Sequence, residues 1–312
     1  MRLIVGVDGG GTHTRALALR EDGRVVGRGE SGPANHQVVG LDGSRRAVRE
    51  AVAAATAGRE PDVLGACLAG LDLPEHEELL RVNLQRDFHG LVAVENDIAA
   101  ALWAVSGDSV GVVSSGTGAA IAVRRGGLVR RLLALNDVTG PQGGAADIAV
   151  AALRAAILAA QGAAPATRLT VELLAAFGAA DHVALARESE AGGLPPWRAA
   201  LVAAPLCARL AEAGDAVAAA ILRGTGRNLG ETAGRFFRAQ ELAPGSPVAR
   251  YGSLLRPGPP AYRRSFERGL RRFMEPGREP RGSLDAAAGA ALFAASAAAI
   301  APEPLRQALG RP

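Results

Sequence analysis

Residues 6–14 read GVDGGGTHT, and this stretch decides the fold of the chain. An apolar run at residues 3–7 leads into it, and a second apolar run at residues 16–19 follows it. The pattern predicts a strand, a glycine-rich turn and a second strand. A plain hairpin turn is the alternative, but such a turn needs only about two special residues.

The glycine-rich turn predicts a phosphate site. Gly9, Gly10 and Gly11 permit positive φ angles and let a ligand come close to the backbone. We expect the backbone amides of the turn to donate hydrogen bonds to phosphate oxygens. The hydroxyl groups of Thr12 and Thr14 are expected to do the same.

Two other glycine motifs are excluded. A dinucleotide fingerprint needs Gly-x-Gly-x-x-Gly before a helix, but from Gly9 the third glycine position is Thr14 and a strand-like segment follows. A P-loop needs a lysine, and the chain contains none, which also excludes Schiff-base chemistry. Phosphate must then be held by amides, hydroxyls, arginine or metal. Asp8, at the end of the first strand, is the candidate Mg²⁺ ligand through water.

The size and charge of the chain limit its class. A length of 312 residues predicts two domains. The net charge is only +4, and arginine supplies all 35 cations. Few aromatic residues accompany the arginine clusters at 124–131, 263–264 and 268–272, so we expect no nucleic-acid partner. Residues 263–272 read as a solvated helix face.

The cysteines and the hydropathy pattern indicate a cytoplasmic protein. Cys67 lies in a strand-like run and Cys207 in a helical one, so both are predicted to be buried free thiols. The sequence has no signal-peptide pattern and no long uninterrupted apolar helix, and we expect no membrane partner.

The order of the predicted elements indicates an α/β layer. Ser44 is the predicted N-cap of the first helix. Strands are predicted at 2–8, 14–20, 24–29, 63–70 and 91–94, and helices at 44–57, at 75–87 and up to residue 105.

The strand, glycine-and-threonine turn and strand pattern occurs a second time. Strands are predicted at 109–114 and 119–123 around the turn at 115–118, about a hundred residues after the first motif. This internal repeat implies two similar domains that each offer a phosphate loop. Further elements are predicted as a strand at 128–133, helices over 145–240, a strand at 247–251 and a last helix at 285–301.

Five segments in this order resemble the actin, hexokinase and sugar-kinase superfamily. Within it the chain is most similar to N-acetylglucosamine kinase and the BadF/BadG/BcrA/BcrD-type ATPases. The similar segments are the first phosphate motif at 6–14, the Asn-His turn at 35–36, the catalytic segment at 95–101, the second phosphate motif at 115–118 and the closing helix at 284–291.

The resemblance implies a fold, an activity and cofactors. The expected fold is α/β, with two ribonuclease H-like (actin-like ATPase) domains flanking a nucleotide cleft. The first domain would comprise residues 1–106 with the closing helix 285–301, and the second residues 107–284. The implied activity is that of an ATP-dependent kinase for an amino sugar such as N-acetylglucosamine or glucosamine, with ATP and Mg²⁺ as cofactors.

The resemblance also implies roles for single residues. Asp97 would be the catalytic base and would contact the sugar, although a helix N-cap is the alternative for this residue. Asn35 and His36 would bind sugar hydroxyls, with a solvated loop pair as the alternative. Nucleotide contacts are expected from Gly9, Gly10, Gly11, Thr12, Ser115, Gly116, Thr117, Gly118, Gly252 and Ser253, of which Thr117 and Gly118 would also touch the sugar.

The chain departs from the family pattern at two places. The family's Gly-Asp-Glu-Gly-Ser segment, whose acidic residue contacts the sugar, reads GPQGG at 140–144, and Pro141 cannot make that contact. Asn136 and Asp137 are candidate substitutes, although Asn-Asp is also ordinary turn chemistry. The usual Gly-Gly of the adenosine loop is Gly252-Ser253 here.

Two other functions stay open. One is an ATPase that activates a partner redox enzyme through an iron–sulfur cluster shared between subunits. The 140 positions between Cys67 and Cys207, and the strand around Cys67, argue against such a cluster. The other is a sugar or nucleotide sensor without catalysis. We expect a small-molecule sugar as the ligand and a homodimer as the assembly.

Overall fold

The computed structural model describes residues 1–133, 139–190, 193–278 and 284–310. Asn136 and Asp137, the candidate substitutes for the acidic motif, lie outside these residues. The chain forms two compact units, the first from residues 1–112, 122–130 and 280–312 and the second from 113–121 and 131–279. The sequence-based domain division at residue 106 stays a prediction.

The strands and helices follow the predicted order, except that a further helix at Pro302–Leu309 comes after the helix predicted to be the last. The strands are β1 (Leu3–Gly9), β2 (Thr14–Arg20), β3 (Val25–Ser31), β4 (Val63–Leu68), β5 (Leu91–Asn96), β6 (Ser109–Ser115), β7 (Ala119–Arg125), β8 (Leu128–Arg131) and β9 (Val248–Tyr251). The helices are α1 (His36–Thr56), α2 (Pro74–Leu84), α3 (Ile98–Ala104), α4 (Ala145–Ala160), α5 (Leu169–Phe177), α6 (His182–Glu190), α7 (Pro196–Glu212), α8 (Ala216–Ala239), α9 (Pro260–Arg271), α10 (Ala286–Ala297) and α11 (Pro302–Leu309).

A mixed five-stranded sheet lies at the centre of the first unit. Its strand order is β3-β2-β1-β4-β5, with β2 antiparallel to β1 and β3 while β1, β4 and β5 are parallel. The parallel strands are continuous apolar runs because both faces of the sheet are covered, and all six residues of β4 are buried. Because β1, β4 and β5 are parallel, their carboxyl ends lie at the same edge of the sheet.

Helices cover this sheet on both faces. Helices α1 and α2 pack on one face, in a core that includes Val5, Val48 and Leu80. Helices α3, α10 and α11 contribute to the core on the other face. The backbone of α10 touches the sheet directly, because a Cβ at Gly6 would lie 2.0 Å from the Ala291 nitrogen.

Helix α1 begins earlier than the sequence predicts. Its N-cap is Asn35, whose Oδ1 accepts a hydrogen bond from the Gln37 amide at 2.9 Å. The predicted cap Ser44 is wrong: its buried hydroxyl donates to the Ala34 carbonyl at 2.7 Å. A kink at Gly40, with φ 71° and ψ 170°, interrupts the apolar period and hides the first turn of the helix in the sequence.

The second unit is mainly helical. The remaining strands form a four-stranded sheet in the order β8-β7-β6-β9, of which β9 and the parts of β6 and β7 within residues 113–121 belong to this unit. Helices α8 and α9 meet through a stripe of glycines, where added Cβ atoms at Gly226, Gly230 and Gly234 would lie 2.4, 2.1 and 2.8 Å from carbonyl oxygens of α9. The two helices are therefore in backbone contact along this stripe.

Membrane-spanning helices were sought over the described residues. No helix taken alone there combines the length and the apolar composition that a span requires. The bent pair α5 and α6, with 58° between the helices, meets both criteria jointly.

Candidate functional site

The carboxyl edge of the first sheet gathers the acidic candidates. In the strand register Asp8 of β1 lies beside Cys67 of β4, which lies beside Glu95 of β5. Asp97 follows β5 directly, and its amide donates to the Leu68 carbonyl at the end of β4 at 3.2 Å. Asp8 and Asp97 thus lie at the same edge of the sheet, on two strands that β4 separates, as expected for polar residues at the ends of parallel strands.

Asp8 has an unusual electrostatic environment. Burial raises the pKa of its carboxyl group to about 6, and the charge of Asp97 raises it further, while Arg15 opposes the shift. A carboxylate whose charge is this poorly compensated favours a bound cation.

The donor set fits Mg²⁺. Among the described residues there is no group of three or more His, Cys, Asp or Glu side chains that could hold a metal ion. Magnesium in phosphoryl-transfer sites needs fewer protein ligands, because one or two carboxylates together with substrate phosphates and water complete its shell. Asp8, with Asp97 nearby, meets this requirement.

Asp97 does not act as a helix cap through its side chain. It occupies the N-cap position of α3, yet its carboxylate makes no capping hydrogen bond. The preceding residue does this instead, since Asn96 Oδ1 accepts a hydrogen bond from the Ile98 amide at 3.1 Å. The structural role offered as the alternative for Asp97 therefore belongs to Asn96.

The first glycine loop differs in detail from the expectation. None of Gly9, Gly10 and Gly11 has a positive φ angle. Gly9 is required for packing, because a Cβ there would lie 2.4 Å from the side chain of Leu68. The amide of Gly10 donates to the His13 carbonyl at 2.9 Å and is not available to a phosphate.

Fewer residues of this loop are exposed than the sequence predicts. Gly11 and Thr12 are exposed and remain the candidates for phosphate contact. Thr14 is buried, and its hydroxyl donates to the Gly32 carbonyl at 2.7 Å. The predicted phosphate contact from the Thr14 hydroxyl is therefore wrong.

The predicted sugar-binding pair lies next to the first loop. The amides of Ala34 and Asn35 both donate to the Gly10 carbonyl, at 3.0 and 3.2 Å. His36 begins α1 and packs edge-to-face on His76 of α2, with 5.3 Å between ring centroids. Burial lowers the pKa of His36, and His76 lowers it further, so the imidazole is neutral at neutral pH.

A short loop after β4 connects these residues to the end of β5. Gly70, with φ +85°, lies against the Asn35 side chain, and a Cβ there would come 2.4 Å from Asn35 Oδ1. Asn96 Nδ2 donates to the neighbouring Leu71 carbonyl at 3.1 Å. Sequence reasoning missed Gly70, His76 and Asn96; the only available signal was an asparagine between a strand and a helix, which is typical of a cap.

The second predicted phosphate loop lies in the second unit, and side-chain hydrogen bonds fix its first residue. Ser115 is fully buried, and its hydroxyl donates to the Gly143 carbonyl at 2.7 Å and lies 3.0 Å from the Tyr262 hydroxyl. The Tyr262 hydroxyl also donates to the Gly143 carbonyl. The hydroxyl of Ser115 is thus structural, and its predicted contact with the nucleotide cannot come from this group.

Helix α4 anchors the same loop. The amides of Ala145 and Ala146 donate to the carbonyls of Gly116 and Thr117 at 2.9 and 3.0 Å. A Cβ at Gly144 would lie 2.3 Å from the Thr117 carbonyl. Thr117 and Gly118 are exposed at the tip of this anchored turn, as a phosphate-binding loop requires.

The predicted adenosine loop packs on the same strand end. Gly252 has φ +85°, and a Cβ there would lie 2.1 Å from the Ser115 carbonyl, so only glycine fits. The Leu254 amide donates to this carbonyl at 3.2 Å. Ser253 is exposed beside it.

The segment that departs from the family pattern lines a cavity within the second unit. Gly140, Pro141 and Gln142 border a space of about 410 Å³, together with Asn228 and Thr232 of α8. The side chains of Gln142, Asn228 and Thr232 are uncharged hydrogen-bonding groups.

Both cysteines are buried free thiols, as predicted. Burial raises the pKa of Cys67 far above its usual range and that of Cys207 to about 12. Neither thiol is poised as a surface thiolate, so these residues do not fit an iron–sulfur cluster shared between subunits.

The first sheet, with a glycine-rich hairpin turn after β1 and with Asp8 and Asp97 at the ends of β1 and β5, defines a sugar-kinase type of actin-like ATPase fold. A candidate N-acetylglucosamine kinase from Chromobacterium violaceum matches with TM-score 0.69 and 25% identity, over 94% of this chain and 99% of that chain. A ROK family glucokinase from Streptomyces griseus matches with TM-score 0.55 and 21% identity, over 94% and 99%. The predicted two-domain α/β fold is confirmed.

The chain belongs to the BadF/BadG/BcrA/BcrD ATPase family, whose model matches residues 5–294. A curated relative, the glucosamine kinase GspK of Vibrio cholerae serotype O1, is 32% identical over 133 residues. That match spans 41% of this chain and 45% of GspK. The family resemblance predicted from the sequence is confirmed.

Proposed function

We propose that the chain is an ATP-dependent carbohydrate kinase that transfers the γ-phosphoryl group of ATP to a hydroxyl of an amino sugar. The names of two similar proteins, a glucosamine kinase and a candidate N-acetylglucosamine kinase, support glucosamine and N-acetylglucosamine as the substrates. Membership of an ATPase family supports ATP as the donor.

The observation that carries the proposal is the position of Asp97. Its carboxylate stands at a strand end beside Asp8, while Asn96 makes the capping hydrogen bond of α3. A general base has to keep its proton-accepting oxygen available for the substrate hydroxyl. Because Asn96 makes the capping hydrogen bond of α3, the Asp97 side chain has no capping role that would compete with the role of a base.

The other residues supply positioning and charge. Phosphoryl transfer depends mainly on these two effects, because the transition state is loose and highly charged. Bound Mg²⁺ would neutralise phosphate charge, and Asp8 would hold it through water. The exposed Gly11 and Thr12 would donate to phosphate oxygens. The neutral imidazole of His36 and the side-chain amide of Asn35 would bind sugar hydroxyls.

The second unit would supply the remaining nucleotide contacts. Thr117 and Gly118 lie at the exposed tip of a turn that α4 fixes, which suits them to phosphate oxygens. Gly252 and Ser253 are the candidates for the adenosine. That both loops act on one triphosphate in a cleft, and that the assembly is a cytoplasmic homodimer, stay predictions.

The test is ADP release over a panel of amino sugars, N-acetylated sugars and neutral hexoses, with the unchanged chain and with Asp97→Asn. We expect turnover on one amino sugar and a loss of about 10²- to 10⁴-fold in kcat for the variant, the usual share of a general base. Asparagine keeps the shape of the side chain but cannot take a proton.

Asp42→Asn is the matched control. This carboxylate of α1 is 81% exposed, so the same chemical change should leave kcat within twofold. Near-normal turnover of Asp97→Asn would remove Asp97 as the base. Absence of sugar-dependent ADP release in every chain, with ATP still bound, would favour the sensor function instead.

A further inference from the structure

A pocket lined by arginines contains none of the residues that the proposed kinase reaction uses, and it adjoins the predicted adenosine loop, where the Arg256 amide donates to the Gly252 carbonyl at 2.8 Å. It lies in the second unit at the start of α9 and encloses about 300 Å³. This volume is at the lower end of the range for small-molecule sites, ~300–1,000 Å³. Its lining residues are Arg250, Leu255, Arg256, Pro260, Arg263, Arg264 and Glu267.

Two of these guanidinium groups are fixed in place. Arg250 is buried and forms a bidentate pair with Glu267, with N–O distances of 2.7 and 3.0 Å, and it also donates to the Val248 carbonyl. The Nε of Arg263 donates to the Gly258 carbonyl at 2.9 Å, which orients the group and leaves its terminal nitrogens to face other partners. An oriented guanidinium fork matches the oxygens of a phosphate or a carboxylate.

The arginines at the start of α9 also have no acidic residue beside them in the first turn of the helix. Arg263 and Arg264 are the fourth and fifth residues of α9, and the helix has no acidic residue in its first turn and no side-chain cap. Cations near a helix N-terminus are unfavourable, because this end carries partial positive charge. Neither Arg263 nor Arg264 has an ion pair within the described part of the chain. Arrangements that break a local rule in this way are expected at functional sites.

We propose that this pocket is a binding site for a small phosphate-bearing anion, separate from the proposed sugar and triphosphate contacts. The single carboxylate in its lining, Glu267, is already engaged by Arg250, so it does not neutralise the guanidinium groups of Arg263 and Arg264, which are available to the ligand. Phosphate, rather than carboxylate, suits the two guanidinium groups of Arg263 and Arg264 together with a helix N-terminus. The volume leaves room for a small organic group beyond the phosphate itself.

Arg263 and Arg264 can be tested against a matched pair on the same helix. The pocket variant is Arg263→Gln with Arg264→Gln, and the control is Arg268→Gln with Arg271→Gln. Both variants remove two positive charges from α9, but Arg268 and Arg271 do not line the pocket. Arg264→Gln alone serves as a milder variant, because Arg264 makes no hydrogen bond among the described residues.

The experiment titrates inorganic phosphate into the full chain at constant ionic strength, with and without saturating Mg²⁺ and a non-hydrolysable ATP analogue. Binding is followed by ³¹P line broadening and by the shift in Tm. We expect saturable binding that persists with the analogue present. The pocket variant should weaken it at least tenfold and Arg264→Gln at least threefold, whereas the control changes it less than twofold.

Three outcomes would overturn the proposal. Phosphate binding that the ATP analogue abolishes would assign the anion to the nucleotide site. Equal weakening by the pocket variant and the control would indicate general charge screening. No saturable binding would remove the site altogether. A hexosamine phosphate and a nucleoside monophosphate, titrated in the same way, identify the organic group through tighter binding than phosphate alone. None of these readouts depends on kinase turnover.

Discussion

Replacement of Asp8 by asparagine is expected to stabilise the metal-free protein at neutral pH. Burial and the charge of Asp97 raise the pKa of Asp8 from 3.8 to about 6. One pKa unit corresponds to about 1.4 kcal/mol, so the charged carboxylate costs about 3 kcal/mol of folding free energy. Asparagine has the shape of the protonated acid and removes this cost.

The sign of the pH dependence follows from linkage. The folded-state pKa of Asp8 is higher than that of the unfolded chain, so the unfolded state loses its proton first as pH rises. This contribution to stability is therefore fully present below about pH 4, falls between about pH 4 and pH 6, and is lost above that window. The advantage of Asp8→Asn should grow through the same window and then stay constant.

The assay is urea unfolding in EDTA at half-unit steps from pH 4 to pH 8. We expect a gain of about 3 kcal/mol at pH 7.5 and little difference at pH 4. Asp42→Asn is the control, since its exposed carboxylate should give less than about 0.5 kcal/mol at any pH. A variant that is no more stable than the parent at pH 7.5, or a gain that does not change with pH, would refute the reasoning. Added Mg²⁺ with nucleotide should stabilise the parent more than the variant.

Further substitutions test other parts of the molecule. His36→Ala should raise the KM for the sugar about 2- to 13-fold, the value of one neutral hydrogen bond, and leave the KM for ATP unchanged. Tyr262→Phe removes a donor to the Gly143 carbonyl, so steady-state kinetics should show a raised KM for ATP with the KM for sugar unaltered; the opposite split would contradict a role under the phosphate loop. Gly230→Ala should lower unfolding free energy by about 1–3 kcal/mol because its Cβ would meet α9 at 2.1 Å, whereas Gly224→Ala, with open space around it, should be neutral or stabilising.

The first sheet and its carboxyl edge could be predicted because their signals are local. The apolar runs of β1 and β5 each end in polar residues, and those ends hold Asp8 and Asp97. Local pattern failed at α1, because the kink at Gly40 separates the first turn from the periodic part of the helix.

The roles of individual loop residues depend on partners far along the chain. Gly9 reads as a residue for ligand approach, yet its neighbour is Leu68 of another strand. Tyr262 lies 119 positions from its acceptor Gly143, and no motif connects the two. Thr14 looks like its neighbour Thr12 in sequence, but strand pairing buries it. Such differences arise from packing, which a single sequence does not display.

The glycine stripe of α8 has a consequence for motion. Helices that touch through side chains accommodate small displacements by changing rotamers. Helices α8 and α9 instead touch through their backbones at Gly226, Gly230 and Gly234, so side-chain rotamers cannot accommodate a displacement there. The pair should therefore move as one body and open only when the surrounding structure unfolds. Its amide hydrogens should exchange with solvent among the slowest of the chain. A displacement at the first turn of α9 would then move Tyr262 by nearly the same distance, and through Tyr262 it would move the second phosphate loop.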